Sequence, residues 1–267
     1  MSLTKIDCHF FRGSTVSADR SGFVALNPHA LPGSLVMAGA SAVRASLGSH
    51  VAFKLALEHF TEGLIEYFST YQKQNLLVGN SAEVIAAPAE ISLEALEHAF
   101  KSANNSVYSF GHKLAAGGRL SAALMGVVVE DNLIAAGRVG PGNIYLIRQG
   151  EIFPFFEGGA ELEESEHENL VGSQSVISVE LASVPAEQED TILMLSRALD
   201  DSKKGELSRL MRELEPWSPD SRYGQDRPID RNPCAETAQL LFPEAQDLAF
   251  AMMAVIGPNT IYLKEAV

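Results

Sequence analysis

Most of the common chemical devices are missing from this sequence. Two cysteines, Cys8 and Cys234, stand among 267 residues. They form neither a CxxC pair nor a metal-ligand spacing, so they read as packing residues of a reducing compartment. Seven histidines are scattered along the chain, none placed at a helical i, i+4 spacing from another, and no H-E-x-x-H occurs. There is no G-x-S-x-G elbow and no P-loop. Positive charge is scarce: 20 Lys and Arg face 34 Asp and Glu, a net charge of -14 with a pI near 4.9. Such a surface repels phosphate backbones and anionic lipid, which excludes nucleic-acid and membrane-surface binding as expected functions. Long apolar runs are missing too. The longest, "LSAALMGVVV" (120–129) and "LAFAMMAVIG" (248–257), are about half the length of a membrane helix and read as buried strands. The opening "MSLTKIDCHFFRGS" lacks the apolar core of a signal peptide. The expectation is an acidic cytoplasmic protein.

What is present is an ordinary globular pattern with 46% hydrophobic residues. No repeat or linker stands out, so a single domain over 1–267 is expected. Strands are expected at 5–11 and at Leu35-Val36-Met37. A helix is expected over 43–72, where Phe53, Leu57, Phe60, Leu64 and Phe68 recur at spacings of three and four. A strand-like stretch at 75–88 precedes a second helix, with Ser92 as its N-cap and Leu93, Leu96 and Phe100 as its buried face. From 120 to 156 the chain reads as a meander of four strands. Its central hairpin turns at Gly140-Pro141-Gly142-Asn143, residues that turns select. Within it Arg148 reads as an exposed strand residue, and Phe153 with Phe155 as core packing. The acidic run 161–168 reads as a solvated loop. Strands at 175–184 and 190–196, a helix at 202–213, a polar loop at 215–233, a helix at 234–241 and strands at 248–256 and 260–263 complete the chain. Strands punctuated by paired helices give an α+β class with helices on antiparallel sheets.

The order of these elements, with the words inside them, resembles the metal-dependent protein serine/threonine phosphatases of type 2C. That family ends a strand in V-x-D-G-x-G-G before a long helix; here "LVMAGASAVRASLGSHVAF" (35–53) has strand and helix. A G-T-T turn begins its hairpin ending in V-G-D-S-R-x-Y-L, matched in length and pattern by 117–152, with Gly118, Val139-Gly140 and Tyr145-Leu146. Its L-x-x-G-D-x-l-L-L-x-S-D-G-L-x-D segment is matched by "VPAEQEDTILMLSRALDD" (184–201), which keeps Asp190, Ser196, Leu199 and Asp201. Its D-N-x-T motif, after a helix and before an apolar strand, is matched within "AETAQLLFPEAQDLAFAMMAVI" (235–256). The resemblance implies a four-layer sandwich, two antiparallel sheets flanked by helices. At one end it implies two divalent ions, Mg²⁺ or Mn²⁺, that activate water for attack on a phosphoester.

The acids that would hold those ions are what this chain replaces. In this correspondence the bridging acid falls at Ala38, followed by a retained Gly39. The acid of the G-D-S turn falls at Pro141 and the S-D-G acid at Arg197. Asp247 is retained, although Leu248 replaces the asparagine beside it, and Asp19 could stand for one further acid. Pairing "GPNTIYL" (257–263) with D-N-x-T instead puts Pro258 at the acid. Arg197 carries a charge it cannot lose at usable pH; it either turns inward to pair with Asp247 or Asp19, or turns to solvent. The expectation is a pseudophosphatase, without catalytic residues or cofactor, that binds a phosphoprotein, kinase or phosphatase partner in signalling. The alternative is a divergent phosphatase with a reduced Mn²⁺ or Mg²⁺ site at Asp19 and Asp247.

Overall fold

The computed structural model describes residues 4–12, 20–28, 34–43, 47–77, 88–114, 120–130, 132–157, 169–213, 232–243, 248–258 and 261–263. Strands are β1 (Thr4–Arg12), β2 (Ser21–Leu26), β3 (Leu35–Ser41), β4 (Ala123–Glu130), β5 (Leu133–Val139), β6 (Asn143–Arg148), β7 (Glu151–Pro154), β8 (Glu180–Pro185), β9 (Thr191–Leu195), β10 (Phe250–Pro258) and β11 (Ile261–Leu263). Helices are α1 (Leu47–Leu77), α2 (Pro88–Lys113), α3 (Asp201–Glu213) and α4 (Pro233–Leu241). Among the described residues no helix is long and apolar enough to cross a membrane.

The strands form two sheets. One runs β2-β3-β4-β5-β8 and is antiparallel throughout. The other runs β11-β1-β10-β9-β6-β7, antiparallel except for the β1–β11 pair. Side chains on a strand alternate between its faces, and here both faces are used. Val36, Ala38, Leu124, Val128 and Ala135 meet Phe53, Phe60, Leu64, Leu96 and Phe100 of α1 and α2. Leu35, Met37, Met125, Val127 and Ile134 meet Ile144, Ile192, Met194, Phe250 and Met252 of the other sheet. The far face of that sheet, with Tyr145, Leu193, Ala251 and Met253, is covered by Leu207 of α3 and Ala238 and Leu241 of α4. Helices, sheet, sheet and helices thus stack in four layers. Because both faces of the central strands are covered, they read in the sequence as continuous apolar runs.

The expected central hairpin is corrected. β5 pairs with β4 and β8, while β6 pairs with β7 and β9, so the two strands lie in different sheets. Gly140-Pro141-Gly142 carries the chain from one sheet to the other. Gly140 has φ 86° and Gly142 φ 109°, values that L side chains rarely adopt. Space also requires glycine at 142, because a Cβ there would lie 2.8 Å from the Leu195 carbonyl oxygen and 2.9 Å from the Met125 methyl.

Other expectations shift as well. α1 begins at Leu47 and runs on to Leu77, into the stretch that reads as strand. α2 begins at Pro88, a residue suited to the first helical turn. Ser92 is therefore a buried residue inside the helix, donating to Glu130 Oε2 at 3.1 Å rather than capping. Arg148 is not a free strand residue: its Nε and Nη2 donate to both oxygens of the buried Asp190, each at 2.7 Å, and its Nη1 lies 2.8 Å from Glu187. Phe153 is 46% exposed, so of the two aromatics only Phe155 packs on the inter-sheet core. β2 goes unrecognised in the sequence reading. The acidic run 161–168 lies outside the described residues.

Replacing Gly142 by Ala should lower stability by about 2 kcal/mol or more, because left-handed strain and overlap act together. Urea unfolding checks this: the midpoint should fall with the slope unchanged.

Candidate functional site

One end of the sandwich collects the ends of β1, β3, β5 and β9 and the beginnings of β2, β4, β6 and β10. The register shows which residues face which layer, since residues directly opposite on neighbouring strands share a face. Ala38, Gly126 and Gly137 are opposite one another on β3, β4 and β5. This row of small residues faces the helices. Side chains added at Gly126 and Gly137 would overlap the rings of Phe60 and Phe100 respectively, and those rings stand edge to face with centroids 5.0 Å apart. Ala38 belongs to that layer and is fully buried in it. A carboxylate at position 38 would point into α1 and α2.

The next row is Phe23, Gly39, Met125, Arg138 and Glu180, and it faces the other sheet. Gly39, not Ala38, is therefore the position on β3 directed between the sheets. Its missing side chain is replaced by a neighbour: a Cβ at Gly39 would overlap Cε2 and Cζ of Phe250. Phe250 is 1% exposed and its backbone is held firmly. Its N–H and that of Ala249 donate to Ser196 Oγ at 3.1 and 2.9 Å, and its carbonyl accepts from Ser196 N–H at 3.1 Å. Ser21 Oγ donates across the sandwich to the Ala249 carbonyl at 3.0 Å.

The crossing turn is fixed from below by Arg138, a 4% exposed cation. Nη1 donates to the Gly142 carbonyl at 2.8 Å, Nη2 to the Glu157 carbonyl at 3.0 Å, and Nε and Nη2 grip Glu180 at 2.9 and 3.0 Å. The Phe156 ring lies 5.1 Å from the guanidinium carbon. Such a fork with both carboxylate oxygens is the strong form of the ion pair. Asn143 completes the frame, donating to the Phe156 carbonyl at 2.8 Å. Pro141 sits half-buried at the apex of the turn.

The segment after β9 carries Ser196 and Arg197. Its far side is anchored where Leu199 N–H donates to the Tyr145 hydroxyl oxygen at 2.6 Å. Tyr145 is fully buried, and burial pushes its phenol up to about 12, against smaller opposing effects of the Leu199 hydrogen bond and the Arg138 charge. Arg197 itself is exposed at the sandwich end. Asp19 and Asp247 lie outside the described residues. Among the described residues, no group of three or more His, Cys, Asp or Glu could hold a metal ion. The roles of Ser196, Arg138 and Phe250 escape the sequence reading, because they depend on contacts between segments far apart in the chain.

No protein-family model matches the chain, and no curated protein matches it. Solved structures do. PppA, described as a key regulatory component of the type VI secretion system in Pseudomonas aeruginosa, is 12% identical; the alignment covers 97% of this chain and 100% of that one with a TM-score of 0.59. The catalytic domain of the serine/threonine protein phosphatase PstP, solved in complex with two manganese ions, is 13% identical over 96% and 100% with a TM-score of 0.56. Serine/threonine phosphatase Stp1 of Staphylococcus aureus is 12% identical over 96% and 97% with a TM-score of 0.61. The chain therefore has the type 2C phosphatase fold across nearly its whole length.

Tyr145→Phe should cost about 1–3 kcal/mol by leaving the Leu199 N–H without its acceptor. It should also flatten the alkaline limb of the stability curve. A phenol raised in the folded state contributes stability below its unfolded value of about 10 that is lost as pH rises towards 12. Thermal unfolding of both chains between pH 8 and 12 checks this.

Proposed function

We propose that this chain is a phosphatase-fold protein without phosphatase turnover, acting by binding a phosphorylated protein partner. The observation that carries the reading is the set of side chains where the fold would place its metal-binding acids. Position 38, before the retained Gly39, is an alanine facing the helices; position 141 is a proline; position 197 is an arginine.

Electrostatics supports the reading. Two doubly charged ions about 4 Å apart repel by roughly 16 kcal/mol at an effective dielectric of about 20. Only several hard anionic oxygens in a fixed cluster offset such a term. An alanine and a proline supply no side-chain oxygen, and Arg197 adds a permanent positive charge. The space beside Gly39 holds the ring of Phe250, which offers a cation neither carboxylate nor carbonyl. The described residues therefore do not fit a metal pair.

The same replacement suits recognition. A guanidinium meets a phosphate through paired, charge-assisted hydrogen bonds and needs no ion to do so. Exposed Arg197, on a segment anchored through Ser196 and Leu199, is the residue assigned to the phosphate. A cytoplasmic phosphoprotein of a signalling pathway fits an acidic chain that avoids nucleic acid.

With millimolar Mn²⁺, p-nitrophenyl phosphate and phosphopeptides should not turn over above the blank. A rate abolished by Asp247→Ala would contradict the proposal and favour a reduced metal site at Asp19 and Asp247. Arg197→Ala should weaken phosphopeptide binding about tenfold or more in calorimetric titration and leave the unphosphorylated peptide unaffected.

A further inference from the structure

We infer that Gly39 and Phe250 form a matched pair: the Phe250 ring and any side chain at position 39 exclude one another, so no carboxylate can be placed between the sheets at position 39 by a single substitution. The inference deepens the non-catalytic reading, but it rests on packing alone.

Both partners are held where they are. Gly39 lies on β3 between β2 and β4, opposite Phe23 on one side and Met125 on the other. Phe250 opens β10 opposite Arg12, the next residue Ala251 is opposite Leu195, and Ser196 grips the Phe250 N–H and carbonyl together. Neither backbone can retreat without breaking these bonds. Nor can the ring swing freely, because it is 1% exposed and packs within the inter-sheet core that includes Met125 and Met37. A Cβ on Gly39 meets the far edge of that ring, at Cε2 and Cζ, and the ring is enclosed by the core. Interiors packed at crystal density have no slack to absorb an overlap of this kind.

The sequence positions carry the same message. In the correspondence with D-N-x-T, Phe250 stands where the motif has its threonine, three residues after Asp247. A ring at 250, where the motif has a threonine, thus lies against a glycine that is retained at 39, and the two are complementary in volume across one contact. The ring stands in the space between the sheets that a side chain at 39 would need.

The test is a double-mutant cycle on the full chain, read by thermal unfolding. Gly39→Ala and Phe250→Leu should each lower Tm. The double variant should unfold above Gly39→Ala alone, although it carries one more core truncation. A second cycle uses Gly39→Asp and Phe250→Thr: the acid should be tolerated better with the ring gone, giving the double variant a higher Tm or soluble yield than Gly39→Asp. Losses that simply add in both cycles, or a Gly39→Ala chain as stable as the parent, would overturn the inference. Phosphopeptide turnover is independent of this outcome. Turnover with a coupled pair would reject only the non-catalytic reading, and no turnover with additive losses would reject only the pair.

Discussion

The contact between the Phe250 ring and the bare backbone of Gly39 governs what this end of the molecule can do. The two sheets face one another through apolar side chains, and the separation between them is filled by whichever residues point inward. At most places along the sandwich the fillers are aliphatic residues from both sides. Here one sheet contributes an aromatic ring and the other contributes nothing beyond the main chain, a large-to-small complementarity that close packing requires. Polar chemistry between the sheets at that point would need room and solvation, and the ring leaves neither.

The frame around the contact is held by hydrogen bonds between protein groups. Ser196 fixes the start of β10, and Ser21 ties the first sheet to the Ala249 carbonyl. Arg138 braces the crossing turn against Glu180 and two carbonyls. Tyr145 holds the far side of the segment that bears Arg197. Every one of these bonds is buried or partly so, where an unmade partner would cost more than a made one contributes. The fold can thus keep its outline at 12–13% identity to the phosphatases it superposes on. A shared fold of this kind leaves function to the handful of positions grafted on the scaffold.

Much of the architecture was legible in the residues. The apolar stripe from Phe53 to Phe68 marked α1, and the unbroken runs at 123–129 and 191–195 marked strands covered on both faces. The order of those elements gave an α+β class, and the resemblance it carried implied the four layers. The crossing at Gly140–Gly142 was not legible, because a Gly-Pro-Gly-Asn turn between two apolar runs has the local signature of a hairpin, and only pairing with β8 and β9 distinguishes a change of sheet. Ser92 looked like a cap for a related reason: its local sequence suits a helix start, whereas Pro88 had already begun the helix and Glu130 of β4 supplied a distant acceptor. Arg148 looked exposed by strand alternation until Asp190, 42 residues away, accepted its fork. At the candidate site, the identities of Pro141 and Arg197 are plain in the sequence. The orientation of positions 38 and 39 is not, since a one-residue difference on a strand reverses the face. Phe250 gave no signal at all, because a phenylalanine in an apolar strand is unremarkable until its neighbour across the sandwich is known.

Anomalous scattering from crystals grown in excess Mn²⁺ tests the central claim most directly. The account predicts continuous density for the Phe250 ring over Gly39 and no manganese peak between the sheets at that end. Two anomalous peaks about 4 Å apart beside Gly39, with the ring displaced, would contradict it.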